Sequence, residues 1–180
     1  WLFSLLAAAL LAPKAQSQTY ALTNVWYVPT NVLGAANIIV SGDNNRALAY
    51  DAISNQVFVA SRQGSAPAPG IQVLDGATGA TLGLMDKTGI SGGSIQVLNQ
   101  IRVADDGAIY AANWTAPTPA SLVKIYRWTN WLSIPTVAYA GNATSNNSTA
   151  GGFNLGATRV GDTMAIRGAG ANTQIILPVG

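Results

Sequence analysis

Apolar residues in this chain gather in short runs separated by turn residues. Gln56-Val-Phe-Val-Ala60, Ile71-Gln-Val-Leu74, Ala108-Ile-Tyr-Ala-Ala112 and Leu122-Val-Lys-Ile-Tyr126 are built from β-branched, aromatic and small side chains. Between them stand Asp51 to Asn55, Asp75-Gly-Ala-Thr-Gly79 and Asp105-Asp-Gly107, where Asp, Asn and Gly accept backbone conformations that turns require. Short runs of this kind bounded by turn clusters predict strands. Ahead of them, Thr19 to Val28 reads as a first strand ended by Pro29, 31–36 as a loop, and Ile38-Ile39-Val40 as a further short strand before the turn chemistry of Ser41 to Asn45.

The pattern returns along the chain. Ala47 to Tyr50, Gln56 to Ala60, Ile71 to Leu74 and Ala80 to Leu84 form a first set of four strands. Gln100 to Ala104, Ala108 to Ala112, Leu122 to Tyr126 and Thr136 to Tyr139 form a second, its middle strands 52 positions after those of the first. Ala157 to Val160, Thr163 to Ile166 and Thr173 to Leu177 begin a third. A recurring period with matching turns is the signature of a repeat architecture. The fold class expected is all-β, with repeats at about 45–97, 98–152 and a partial 153–180, each a β-propeller blade of four antiparallel strands. An evenly spaced β-sandwich is the alternative. Blades stack, so their middle strands are buried on both faces and read as unbroken apolar runs. The core expected is Val57, Phe58, Val59, Ile71, Val73, Ile101, Ile109, Tyr110, Val123, Ile125 and Ile175. A closed ring needs at least ~4 blades, so an open arc with an exposed sheet edge, part of a larger propeller, is expected.

Composition sharpens this. Of 180 residues, 9% are charged and 49% hydrophobic, and every acid is Asp, with no Glu and no His or Cys. The absence of His and Cys excludes thiolate and imidazole chemistry and the usual ligands of zinc, copper and haem. A net charge of +2 without a basic cluster leaves no electrostatic footprint for nucleic acid. The first 12 residues, Trp1 to Ala12, are almost continuously apolar and are followed by Pro13-Lys-Ala15-Gln-Ser17. An apolar stretch of ~7–15 residues ahead of small residues is a secretory signal. Residues 1–17 are therefore expected to be a signal peptide and 19–180 the mature domain, exported to the periplasm, cell surface or medium. No later run reaches the ~18 residues that a membrane helix needs.

Val73-Leu-Asp-Gly-Ala-Thr-Gly79 and Val103-Ala-Asp-Asp-Gly-Ala-Ile-Tyr-Ala111 resemble the strand-and-turn units of secreted bacterial propellers of the YVTN and NHL-like kind. The mature chain also resembles an uncharacterised exported bacterial domain of unknown function built on such repeats. The resemblance implies a fold and no particular activity.

Candidate chemistry is sparse. Asp105-Asp106-Gly107 pairs two carboxylates, as a Ca²⁺ site or an acid–base pair would. Asp-Asp-Gly between strands is also what a hairpin turn uses, and Asp51 and Asp162 occupy equivalent turns. Asn55, Asn99 and Asn113 can face a channel, with nothing to mark them as a set. Trp114, Trp128 and Trp131, with Tyr126 and Tyr139, fall within one repeat; they serve as packing or, where exposed, as platforms for sugar rings. Asn113-Trp-Thr115, Asn142-Ala-Thr144, Asn146-Asn-Ser148 and Asn147-Ser-Thr149 match the glycosylation pattern, which in a bacterial protein is chance. The function expected is a non-catalytic binding or structural module, contacting carbohydrate or another protein, with no catalytic residues and no cofactor. The alternative is a propeller hydrolase or lyase using Asp carboxylates and a divalent metal such as Ca²⁺.

Overall fold

The computed structural model describes residues 21, 23–28, 39, 45–61, 69–93, 95–115, 122–142 and 159–178. The expected signal peptide and the polar loop after Asn142 lie outside them. The described residues are all-β. Strands β1 (Asn45–Asp51), β2 (Gln56–Ser61), β3 (Gly70–Asp75) and β4 (Thr81–Leu84) form one antiparallel meander in that order. Strands β5 (Gln96–Val103), β6 (Ile109–Trp114), β7 (Leu122–Trp128) and β8 (Thr136–Asn142) form a second with the same order. β9 (Ala165–Arg167) and β10 (Gln174–Ile176) make a two-stranded hairpin, and none of the three sheets is closed.

Each meander follows from its turns. Asn55 takes a left-handed φ of 51° and its carbonyl accepts the Gly76 N–H at 2.8 Å, tying the β1–β2 turn to the β3–β4 turn. At the latter, Asp75 Oδ1 accepts the N–H groups of Ala77 and Thr78 at 3.0 and 2.8 Å. Asp and Asn side chains that bond the backbone in this way are what make these short connections tight.

The middle strands are buried on both faces, as their unbroken apolar runs predict. One face of the first sheet, carrying Ala49, Phe58, Ala60, Ile71 and Val73, packs on Leu98, Ile101, Ile109, Ala111, Tyr126 and Trp128 of the second. The far face of the second sheet, with Tyr110, Ala112, Val123 and Ile125, packs on Val160, Met164 and Leu177. Val57, Val59 and Leu74, on the far face of the first sheet, are covered by Trp26, Val28 and Ile39. Of the core residues expected, all are buried except Ile175, which is half-buried in β10 and packs against the cluster on the far face of the second sheet.

Three expected strands fail in detail. The described part of Thr19 to Val28 is not a strand, and neither is Ile39. The alternation there is real, with Trp26 and Val28 turned inward and Val25 and Tyr27 exposed. It serves a plug: Trp26 Nε1 donates to the Gly76 carbonyl at 2.8 Å, and its ring lies where a Cβ on Gly79 would sit. Near Val160, where a strand is expected, there is one isolated bridge to Thr115, with reciprocal N–H···O bonds of 3.0 and 3.1 Å.

Candidate functional site

The acid pair is a fastener. Asp105 Oδ2 accepts the Gly168 N–H at 2.8 Å, and Asp106 Oδ2 accepts the Gly170 N–H at 2.9 Å while its Oδ1 takes the Ala108 N–H at 3.1 Å. The β5–β6 turn therefore holds the link between β9 and β10. Bonds from Gly170 first, then Ala108, keep the Asp106 carboxyl below its ordinary value, because they stabilise the charged form. Asp75 is lowered chiefly by the Thr78 hydroxyl and N–H, and Asp86 chiefly by the Thr88 N–H. Asp162 pairs with Arg159 at 2.7 Å. Among the described residues, no group of three or more acids stands close enough to hold a metal ion.

The amides also bond within the fold, although Asn99 Oδ1 is buried without a partner among the described residues. Asn113 is fully buried; its Nδ2 donates to the Leu122 carbonyl at 2.8 Å and its Oδ1 accepts the Lys124 N–H at 3.1 Å. It extends the β6–β7 ladder past the last backbone pair, so the glycosylation match at this position is buried structure. A bulge in β5 opposite Asn113 aims two neighbours at one segment: Asn99 Nδ2 donates to the Gly161 carbonyl at 2.6 Å, and Gln100 Nε2 to the Asp162 carbonyl at 2.7 Å. Asn55 remains in its turn, accepting the Tyr50 hydroxyl at 3.0 Å.

The aromatic candidates are dispersed. Trp128 is 0% exposed in the inter-sheet core, and its Nε1 donates to the Asp86 carbonyl at 2.9 Å. No ligand can reach it, so the expectation of a contact there is corrected to packing. Tyr126 lies beside it, ring centroids 6.4 Å apart, with its hydroxyl bonded to the Ser91 backbone. Trp114 is half-buried beneath the Arg159 guanidinium, 4.8 Å from the ring centroid.

Trp131 lines a cleft. It stands in the β7–β8 loop and packs on the inter-sheet core, with its six-membered ring over Gly83, where a Cβ would come within 3.2 Å. The cleft beside it, of about 210 Å³, lies between the β1–β2 turn, the β5–β6 turn and this loop. Phe58 and Ile109 form the floor; Asp51, Ser54, Gln56, Asn130 and Leu132 form the rim. Asp51 is 6% exposed, its Oδ1 accepting the Ile53 N–H at 2.9 Å and its Oδ2 the Ser54 hydroxyl at 2.5 Å. Asn130 Oδ1 accepts the Leu132 N–H at 2.9 Å and fixes the loop. Asp51 and Ser54 read in the sequence as turn residues and Gln56 as the start of a strand, and only the packing of the two sheets brings them together with Asn130.

Comparison with known proteins places the fold and nothing more. No family model matches the chain, and no curated protein does. A solved structure of a DUF4623 family protein from Bacteroides eggerthii matches with a TM-score of 0.51 and 24% identity over 67% of this chain. The chain spans 26% of that protein's length. The likeness is to an uncharacterised family and does not bear on the YVTN and NHL-like resemblance.

Proposed function

We propose that this chain is a non-catalytic binding and structural module of an exported bacterial protein, built from propeller blades. One observation carries the reading: each described carboxylate is bonded within the fold. Asp51, Asp75, Asp86, Asp105 and Asp106 each accept at least one backbone N–H, and Asp162 pairs with Arg159. A general acid or base works best with a proton affinity near the working pH. Asp75, Asp86 and Asp106 are displaced the other way.

The stacking supports the blade reading. In a two-layer sandwich each sheet buries one face. Here the second sheet buries both, one against the first sheet and one against Val160, Met164 and Leu177. Export is proposed from the apolar N-terminal run.

Panels of soluble and insoluble polysaccharides, offered to the purified protein with analysis of released products, test the reading. Retention without product is the expected result. Turnover of any panel member by the purified protein would overturn it.

A further inference from the structure

We infer that the cleft beside Trp131 is a subsite for one neutral sugar ring, an inference that rests on the non-catalytic binding reading. Size comes first. At about 210 Å³ the cleft is smaller than the ~300–1,000 Å³ of drug-sized and cofactor sites, so it admits a single ring and not a nucleotide. Charge comes second. The one charged lining residue is Asp51, with no Lys or Arg in the lining. A phosphate or carboxylate would meet a buried negative group and no counter-charge, which is unfavourable. Chemistry comes third. The Ser54 hydroxyl, the Asp51 carboxylate and the amides of Gln56 and Asn130 have more bonding positions than their bonds within the protein use, and a purely apolar ligand would shut those positions away from water at a cost. A pyranose ring presents C–H groups for Trp131 and Leu132, and hydroxyls for that rim. Asp51 uses one bond at each oxygen; a carboxylate has about four acceptor positions, which leaves capacity for a sugar hydroxyl.

The site is also held in shape before any ligand arrives. The Ser54–Asp51 and Leu132–Asn130 bonds fix two rims, and the missing side chain of Gly83 leaves room for the Trp131 ring beside β4. A preformed site spends less of its binding energy on ordering side chains. Its position between the sheets ties ligand contact to the packing of the two meanders.

The test is a ¹H–¹⁵N NMR titration of the whole chain with the methyl glycosides of glucose, galactose, mannose and N-acetylglucosamine, with choline as a control. Saturable shifts at Gly107, Asn130 and the Trp131 indole are expected with at least one glycoside. Trp131→Ala should weaken that binding roughly tenfold or more, a loss of about 1.4 kcal/mol. Because Trp131 also packs on the core, Gln56→Ala serves as a second variant, expected to weaken binding severalfold with the spectrum otherwise preserved. Absence of shifts with all four sugars, shifts confined to residues elsewhere, preference for choline, or unaltered affinity in both variants would each overturn the subsite. The same spectra report methanol. Its release from a bound glycoside would refute the non-catalytic reading while leaving the subsite standing; sugar binding elsewhere without methanol would do the reverse.

Discussion

Phe58 shows how a single residue fixes the packing. It sits at the middle of β2 with no exposed surface, between Ala49 on β1 and Val73 on β3. Removing a buried Phe side chain costs the transfer energy of its atoms plus the cavity they leave. Phe58→Ala should lower stability by about 3–5 kcal/mol in a denaturant titration. Glycines offer a second test. Gly161 has a φ of +98°, and a Cβ there would land on the Asn113 carbonyl oxygen; Gly89 has a φ of +79° and open space around it. Gly89→Ala should cost only the backbone strain, about 1–3 kcal/mol. Gly161→Ala should cost more, because Asn113 is backbone that cannot step aside. Equal losses at the two positions would show that the Gly161 contact is unimportant. At this scale the sequence was legible where apolar residues ran unbroken, since Val57 to Ala60 could be buried on both faces only in a middle strand. It was illegible where partners are distant: nothing local to Asp105 announces a bond to Gly168, 63 positions on.

At the scale of elements, the β9–β10 hairpin depends on the carboxylates that fasten it. The sign of its pH dependence follows from Asp106. Its folded value lies below the ordinary one, so its contribution is present above the unfolded value of about 3.9 and is lost as pH falls through the lower folded value. The Gly170 amide proton should therefore move on acidification with a midpoint below about 3.9, and Asp106→Asn should abolish that titration. A midpoint above the ordinary Asp value would contradict the assigned bond. The two meanders were legible as elements because turn chemistry at Asp51 to Asn55 and Asp75 to Gly79 bounded each strand. The segment around Trp26 was not: an alternating plug and an alternating strand have one pattern, and only a pairing partner separates them.

At the scale of the molecule, layers cover one another unequally. Leu48 and Tyr50 on β1 remain 60% and 53% exposed, beside the face that Trp26 and Val28 only partly cover. Exposed apolar positions on an edge strand favour association. Sedimentation velocity should show concentration-dependent self-association that Leu48→Lys reduces, whereas identical behaviour of the two proteins would place the association elsewhere. The cleft beside Trp131 also belongs to this scale, because its rim comes from three turns that meet only when the sheets stack. The central proposal is that the described carboxylates serve the fold and hold no catalytic ion. Metal content by mass spectrometry, on protein purified without chelator and equilibrated with Ca²⁺, Mg²⁺ and Zn²⁺ before gel filtration, tests it most directly. The account predicts well under one equivalent of any divalent ion. One tightly held equivalent, lost together with a hydrolytic activity on chelation, would contradict it.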